Sequence, residues 1–123
     1  MLSILDRMGA MVDMGGGSVT VSPGRLRGID VDVSDTPDLA PAIALAALAA
    51  EGSTVVKNGG RLRFKECDRI SAIATELKRL GADIDEAPDG FTIRGGGKLH
   101  GAACLCHNDH RIAMLLIMAA GLC

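Results

Sequence analysis

The sequence predicts an α/β domain assembled from a repeated supersecondary unit. Residues 29–95 carry strand and helix patterns in the order β-α-β-α-β-β. Two apolar runs of 12 residues each, 39–50 and 112–123, predict helices buried on nearly all sides. Stretches of the chain also recur at a fixed spacing, which indicates a unit used more than once.

The internal repeat has an offset of 72 residues and pairs Leu5–Asp13 with Leu77–Asp85. Two shorter matches follow, the second after a slip of one residue: Val19–Val21 with Phe91–Ile93, and Leu26–Gly28 with Leu99–Gly101. In each copy an extended segment, a short charged stretch and an apolar helix come next. Carried through the charged stretch, the alignment sets Asp38 opposite Arg111.

The individual elements follow from local signals. Glycine ends two predicted helices, Leu2–Met8 before Gly9 and Asp68–Leu80 before Gly81. Proline, which the first turn tolerates, marks the start of a third helix that runs to Ala50. Strands are predicted at four places: Val19–Val21, Ile29–Val33, Ser53–Lys57 and Phe91–Arg94.

These elements divide the chain into parts of three units. Residues 1–28 are interpreted as the end of one unit, 29–95 as a complete unit and 98–123 as the start of the next. We therefore expect the chain to be a segment of a longer protein.

Composition argues against nucleic-acid and membrane partners. The formal net charge is −2, and Trp and Tyr are absent, so neither a basic surface nor base stacking is expected. The apolar runs of 12 residues are shorter than the roughly 20 that a membrane span needs. Residues 1–14 lack an uninterrupted apolar stretch of the secretory type. We expect a cytoplasmic protein whose four cysteines are free thiols.

Charged residues stand at the starts of three predicted apolar helices: Asp38, Lys65–Arg69 and Asp109–Arg111. Helix N-termini offer unpaired N–H groups and the positive end of the dipole, so they suit anionic ligands. Arg111 opposes that dipole, which suggests that it binds a carboxylate or phosphate. The alternative for Asp38 and Asp109 is simple helix capping.

The cluster at 65–69 combines cations with a carboxylate. Helical spacing puts Lys65, Glu66 and Arg69 on one face. Arg61 and Arg63 alternate with Lys65 along a predicted extended lead-in, which places three cations on one side. A basic pocket around one carboxylate suits an anionic substrate and a proton-transfer group. The alternative is a solvated helix start with a surface ion pair.

Two other kinds of motif are present only in part. The pattern C-x-C-H-x-x-H supplies four zinc-type ligands: Cys104, Cys106, His107 and His110. Zinc sites normally take pairs from two separate elements, and the two cysteines would point away from His107 on a strand. The clusters Gly15–Gly17 and Gly95–Gly97 lack the Lys-Ser of a phosphate loop and are interpreted as hairpin turns.

Three motifs in the chain resemble those of the EPSP synthase (5-enolpyruvylshikimate-3-phosphate synthase) family. Leu62–Arg69 resembles the signature L-R-x-K-E-[ST]-D-R, with Cys67 where Ser or Thr is usual. Asp109–Met114 resembles D-H-R-[IM]-A-M, and Asp35–Pro41 resembles P-D-x-x-P. The motifs occur in the family's order and span nearly the whole chain.

The resemblance implies an inside-out α/β barrel, the enolpyruvyl transferase fold, of which this chain would be a partial barrel from the C-terminal domain. It also implies 3-phosphoshikimate 1-carboxyvinyltransferase activity. This is transfer of the enolpyruvyl group from phosphoenolpyruvate to the 5-hydroxyl of shikimate 3-phosphate, in the shikimate pathway of aromatic amino-acid biosynthesis. The reaction needs no cofactor and no metal.

The family motifs also imply roles for individual residues. Asp38 is expected to be the base near the 5-hydroxyl. Glu66 is expected to donate and accept the proton at the enolpyruvyl methylene. Five further residues are expected to bind substrate: Lys65 the shikimate 3-phosphate, and Arg69, Arg111, His110 and Asp109 the phosphoenolpyruvate.

Other parts of the family's enzymes complete these sites, so residues 1–123 alone are predicted to have negligible turnover. Uncovered apolar edges predict self-association. The competing hypothesis is a non-catalytic binding or scaffold domain of the same fold that binds metal through Cys104, Cys106, His107 and His110.

Overall fold

The structure, a computed structural model, describes residues 1–123. Its four α-helices are α1 (Leu2–Arg7), α2 (Ala40–Leu48), α3 (Arg69–Arg79) and α4 (His110–Ala119). Its six strands are β1 (Met11–Gly15), β2 (Ser18–Ser22), β3 (Asp30–Asp32), β4 (Gly52–Lys57), β5 (Asp83–Ala87) and β6 (Gly90–Gly95). Short 3₁₀ helices occupy Pro37–Leu39, Gly60–Phe64 and Ala120–Leu122. The predicted β-α-β-α-β-β order is confirmed for the elements from β3 to β6.

The strands form two separate open sheets. One is the β1–β2 hairpin, and the other has four strands in the order β3-β4-β6-β5. Strands β3 and β4 are parallel, as expected for strands joined through a helix, and the other pairs are antiparallel. Neither sheet closes on itself.

The apolar core lies between the inner face of the four-stranded sheet and the helices. Val56, Ile84 and Ile93 are almost fully buried and alternate along their strands with more accessible neighbours. Helices α2 and α3 pack on this face, and α4 packs against both of them. This arrangement brings the starts of α3 and α4 close together.

The sequence repeat corresponds to two hairpins of identical register. Met11 pairs with Ser22 in the β1–β2 hairpin, and Asp83 pairs with Arg94, each 72 positions later, in the β5–β6 hairpin. The helix before each hairpin ends at a glycine with positive φ, +100° and +88°, as the sequence predicts. The short helix α1 contacts β1, but the apolar side chains Met11, Met14, Val19 and Val21 of the β1–β2 hairpin remain exposed.

The slip of one residue in the repeat also has a structural counterpart. The N–H of Arg27 donates to the carbonyl of Met8 at 2.7 Å, and the N–H of His100 donates to that of Leu80 at 2.9 Å. The acceptors differ by 72 positions and the donors by 73. The repeat is therefore conserved in hydrogen bonding as well as in sequence.

The cluster Gly95–Gly97 is not the predicted hairpin turn. Gly95 ends β6 against the end of α2, where an added Cβ would lie 2.1 Å from the carbonyl oxygen of Ala47 and 2.3 Å from that of Ala50. Glycine is needed here because helix and strand backbones approach too closely for any side chain. Gly15–Gly17 does form the turn between β1 and β2.

Two other expectations about local structure are wrong. Residues 60–64 form a 3₁₀ helix rather than an extended lead-in. The run 112–123 is not buried on nearly all sides, because Met114, Ile117 and Met118 are mostly exposed. The apolar composition alone could not indicate which face has a partner. None of the helices has the length and apolar character needed to cross a bilayer.

Candidate active site

Three distant segments of the chain meet at one end of the helical layer. Asp38 comes from the 3₁₀ helix before α2, and Lys65 and Glu66 come from the turn before α3. Arg69 opens α3, while Asp109, His110 and Arg111 open α4. The charges noted at three helix starts thus belong to one cluster.

Arg69 is the centre of this cluster. Its side chain is only 2% exposed, yet its guanidinium contacts three carboxylates. Nε donates to Asp109 Oδ2 at 2.7 Å, Nη1 to Asp38 Oδ1 at 2.8 Å and Nη2 to Glu66 Oε2 at 2.5 Å. A planar guanidinium suits such a site because its donors lie in a rigid fork.

Asp109 is buried and has two structural partners. Besides accepting from Arg69, it caps α4 by accepting from the backbone N–H of Arg111 at 2.9 Å. The predicted capping is therefore confirmed, but capping is only part of its contacts. Burial by itself raises the pKa of Asp109, while Arg69 and the first N–H groups of α4 lower it, and the net pKa lies below the ordinary value.

Cys67 is also next to Asp109. Its Sγ lies 3.7 Å from Asp109 Oδ2 as a weak donor. Burial first, and then the negative charge of Asp109, raise the pKa of this thiol to about 11. Cys67 is thus a protonated hydrogen-bond donor in the place where the family motif has a hydroxyl.

Asp38 lies among three cations. Its Oδ1 is 3.2 Å from Lys65 Nζ, and its Oδ2 is 3.7 Å from Arg111 Nη2, in addition to the contact with Arg69. The hydrogen bond from Lys65 holds the pKa of Asp38 below its ordinary value, and burial opposes it. No side chain caps the 3₁₀ helix or α2, so the capping alternative for Asp38 is wrong.

The remaining predicted site residues are more accessible. The side chain of Glu66 is 49% exposed and that of Lys65 is 28% exposed. His110 is exposed and makes no side-chain hydrogen bond, and Arg111 is partly exposed. Lys65, Glu66 and Arg111 therefore form the accessible side of the cluster, while no contact joins His110 to it.

Formal charges cancel within this cluster. It contains three cations and three carboxylates: Lys65, Arg69 and Arg111, and Asp38, Glu66 and Asp109. An anion approaching the guanidinium of Arg69 would compete there with these carboxylates. Asp38 and Glu66, about half exposed, can be displaced into water, whereas Asp109 is buried against Arg69 and cannot.

An apolar cleft of about 520 Å³ lies beside the cluster, between the N-terminal helix α1, α2 and α4. Asp38 and Arg111 form its polar edge, and ten of its 13 lining residues are hydrophobic. Charged ligands are therefore suited to its edge and not to its interior.

Arg63 does not belong to the cluster, contrary to the lead-in predicted from alternation. The 3₁₀ helix turns it toward the β5–β6 hairpin, where it donates to the carbonyls of Ala87 and Pro88 at 2.8 and 2.7 Å. It also pairs with Asp68 and Glu86. Its role is to fasten the turn before α3 to the sheet.

The metal-binding alternative is not supported by the structure. No group of three or more His, Cys, Asp or Glu side chains is arranged to hold a metal ion. His107 points instead to Glu76, with Nε2 2.8 Å from Oε1, while Cys106 and His110 face solvent. The four proposed ligands are close in sequence but are not assembled.

Glu76 is the one buried charge that the sequence analysis did not single out. It is 0% exposed and accepts from the backbone N–H of Leu105 as well as contacting His107. A signal was present, because Glu76 lies among Ile73 and Leu77 on the apolar side of α3 and seven residues after Arg69.

Comparisons with known proteins show which family the chain belongs to. A family model described as EPSP synthase (3-phosphoshikimate 1-carboxyvinyltransferase) matches residues 1–123. The 3-phosphoshikimate 1-carboxyvinyltransferases of Methanococcus vannielii and Methanocaldococcus jannaschii are 46% and 47% identical over 119 residues. Each alignment covers 96% of this chain and 28% of the relative. That of Clostridium novyi is 42% identical and covers 99% of this chain and 28% of the relative.

Solved structures show the same relationship. EPSP synthase from Acinetobacter baumannii matches with a TM-score of 0.84 and 35% identity, over 98% of this chain and 32% of that one. The enolpyruvyl transferase NikO from Streptomyces tendae matches with a TM-score of 0.71 and 28% identity, over 96% of this chain and 27% of that one.

The α/β fold is therefore that of the enolpyruvyl transferases. Within this class, the chain belongs to the EPSP synthase (3-phosphoshikimate 1-carboxyvinyltransferase) family, as its motifs predict. It spans about 28% of the length of the curated relatives that it matches.

Proposed function

We propose that the chain forms part of an enzyme that transfers the enolpyruvyl group of phosphoenolpyruvate to the 5-hydroxyl of shikimate 3-phosphate. One observation carries the proposal: Arg69 joins carboxylates from all three family motifs within 2.8 Å. These motif residues lie up to 40 positions from Arg69 in the chain, so only the fold brings them together. Both proposed substrates are phosphorylated anions, which suits a cluster of three cations.

The proposed reaction is an addition followed by an elimination. The 5-hydroxyl oxygen bonds to C2 of phosphoenolpyruvate, losing its proton to a base, while C3 gains a proton and becomes a methyl group. The resulting tetrahedral intermediate then loses a proton from C3 and phosphate from C2, and the C2–C3 double bond is restored. A proton-transfer group must therefore act twice at C3.

Glu66 is our candidate for that group. Its carboxylate is half exposed and bonded on one side to Arg69, so the other side is free to face a substrate. Asp38 is the candidate base for the 5-hydroxyl. Its cations hold its pKa low in this structure, and a substrate anion that took over Lys65 or Arg111 would raise its basicity.

The cations have separate proposed partners. Lys65 would contact shikimate 3-phosphate, and Arg69 and Arg111 would hold phosphoenolpyruvate, with His110 and Asp109 beside it. Arg111 is accessible for this role, whereas Arg69 reaches a ligand only where Asp38 or Glu66 moves aside. Clamping of this kind fixes the reacting atoms and stabilises developing negative charge.

We further propose that the chain is a segment of a larger inside-out barrel, with 29–95 as one complete unit between parts of two others. Two uncovered apolar surfaces support this: the β1–β2 hairpin, and the outer face of α4 with Met114, Ile117 and Met118. Alone, the segment would self-associate and have negligible turnover. We propose a cytoplasmic setting, in aromatic amino-acid biosynthesis.

Glu66→Gln in the full-length enzyme containing this segment tests the proposal. Turnover should fall by about 100-fold or more, because the amide cannot deliver or take the proton, while both substrates still bind. Product formation and calorimetric titrations would measure the two effects. Glu51→Gln, the same change at an exposed carboxylate without a side-chain partner, is the control. Unchanged turnover in Glu66→Gln would contradict the assigned role, and an inactive parent enzyme would contradict the proposed function.

A further inference from the structure

The buried carboxylate of Glu76 lies outside the catalytic cluster and has no part in the proposed reaction. Its Oε2 accepts from the backbone N–H of Leu105 at 3.0 Å, and its Oε1 lies 2.8 Å from Nε2 of His107. Arg79, half exposed, is 3.4 Å away and pairs with the same oxygen as Leu105. Glu76 thus holds the segment that leads into α4 from the side of α3.

Few other contacts define the path of this lead-in segment: Leu99 is buried in the core, and Cys104 packs against it with Sγ 3.9 Å from the carbonyl oxygen of Glu76. Between residues 98 and 108 it belongs to no helix or strand. Its backbone hydrogen bonds are one from the N–H of His100 to Leu80 and one from Asp109 to the carbonyl of Cys106. His107 and Asn108 both have left-handed backbones, with φ of +53° and +56°. Residues other than glycine adopt this conformation rarely, and His and Asn do so more often than most, so contacts of the side chains add to a local preference in holding the turn.

The turn leads directly to the catalytic cluster. The next residue, Asp109, accepts from Arg69 and from the backbone N–H of Arg111. Because Arg69 and Glu76 are seven residues apart, they lie on the same face of α3. The helix therefore holds the lead-in at two points, one on each side of the left-handed turn.

We propose that Glu76 and His107 form a positioning pair, which sets the path of 104–108 and thereby places Asp109 and Arg111 in the site. This role rests on the proposed function, since it assigns Arg111 to phosphoenolpyruvate. Neither Glu76 nor His107 touches the reacting groups. They act through the turn on the residues that do.

The chemistry of the pair is specific. Burial by itself raises the pKa of Glu76, but the N–H of Leu105 and the imidazole of His107 lower it, and the net pKa is below its ordinary value. Glu76 is thus ionised at neutral pH and can only accept hydrogen bonds. Nε2 of His107 must therefore carry the proton that lies between them.

Two variants of His107 separate this hydrogen bond from the backbone strain. In His107→Gln the side-chain amide donates from nearly the position of Nε2, whereas His107→Leu has no donor and a similar size. Both replacements lose the preference of His for a positive φ, so a difference between the two variants reports the contact with Glu76. Glu76→Gln is the complementary change. The carboxylate accepts from Leu105 with one oxygen and from His107 with the other, whereas the amide has one oxygen and one NH₂. The NH₂ group would face one of the two donors, so one of the two hydrogen bonds is lost.

Nuclear magnetic resonance of residues 1–123 gives the first test. We expect the Arg69 Nε–H resonance and the amides of Leu105 and Arg111 to shift in His107→Leu and in Glu76→Gln. His107→Gln should retain the parent positions, and Glu51→Gln is the control for loss of one negative charge. Unchanged Arg69 and Arg111 resonances in His107→Leu would overturn the inference.

The second test is steady-state kinetics of the full-length enzyme, measured well below the temperature at which the enzyme unfolds. In His107→Leu the KM for phosphoenolpyruvate should rise by about tenfold while that for shikimate 3-phosphate changes by less than about twofold. His107→Gln should restore the parent value. Equal KM changes for both substrates, or none, in a variant whose resonances shift would contradict the assignment of Arg111 to phosphoenolpyruvate. If the Arg69 and Arg111 resonances did not shift in His107→Leu, the positioning role of Glu76 and His107 would itself be contradicted.

Discussion

The two ends of one face of α3 carry opposite buried charges that are used in different ways. Arg69 contacts side-chain carboxylates, two of which are about half exposed. Glu76 is 0% exposed and contacts a backbone N–H, the imidazole of His107 and the half-exposed Arg79. The two charges differ in the kind of partner, because Arg69 contacts only side-chain carboxylates whereas Glu76 also binds a backbone N–H. A buried charge that is bonded to the backbone fixes the path of the chain, whereas one bonded to half-exposed side chains can change partners.

Loss of the Arg69 charge, at the start of α3, should have the largest effect on stability. Arg69→Met leaves Asp109 buried without a cation, and we expect the free energy of unfolding to fall by about 3–5 kcal/mol. Urea denaturation at neutral pH would measure this. Arg94→Met is the control, since Arg94 pairs with two exposed carboxylates on the outer face of the sheet and its loss should change little. Equal destabilisation by both changes would show that burial of Arg69 has no special energetic consequence.

Acid should lower the stability of the folded chain by protonating Asp109, the partner of Arg69. The pKa of Asp109 is lower in the folded chain than its ordinary value of 3.8, so the unfolded chain binds the proton more readily. The resulting stabilisation is present above about pH 4 to 5 and is lost as the pH falls through the folded pKa. Asp109→Asn should therefore be less stable than the parent near neutral pH, and the gap should narrow toward about pH 2.

Thermal unfolding scans between those pH values would measure the gap. Asp38 and Glu76 also have lowered pKa values, so a weaker pH dependence should persist in Asp109→Asn. A gap that stays constant with pH would mean that the charge of Asp109 contributes nothing and that only its capping matters.

The smallest effect should come from removing the charge of Asp38, one of the half-exposed partners of Arg69. Asp38→Asn frees Lys65 and Arg111 from a competing carboxylate, so inorganic phosphate should bind to the chain about threefold to tenfold more tightly. Calorimetry or chemical-shift titration would measure the dissociation constant. Asp32→Asn, an exposed carboxylate on β3, should leave it unchanged. Weaker binding in Asp38→Asn would show that Asp38 helps to organise the cations instead of competing for them.

Much of the fold follows from local signals in the sequence. Helix ends at Gly9 and Gly81, the Asp109 cap and the 72-residue repeat depend on backbone conformation and short-range spacing, and all are found in the structure. The family motifs also identify the residues of the cluster before their contacts are known. Local signals are reliable here because the physical causes act within a few residues.

Contacts between distant segments were less predictable. Alternation of Arg61, Arg63 and Lys65 suggested one basic face, but the 3₁₀ helix turns Arg63 to the β5–β6 hairpin. Likewise, the ligand-like spacing of Cys104, Cys106 and His107 has no metal geometry, because Glu76 of α3 takes the histidine. In each case a partner more than 20 positions away decides where the side chain points.

The amino-acid sequence alone therefore establishes the family, the order of the elements and the identity of the charged motifs, since each is encoded in short stretches of chain. The folded structure adds which charges are buried, which carboxylates contact Arg69, and that Glu76 contacts the segment before α4. These properties depend on desolvation and on packing between remote segments. Neither is expressed in local sequence, because both arise only when α3 brings its two buried charges against α4 and its lead-in.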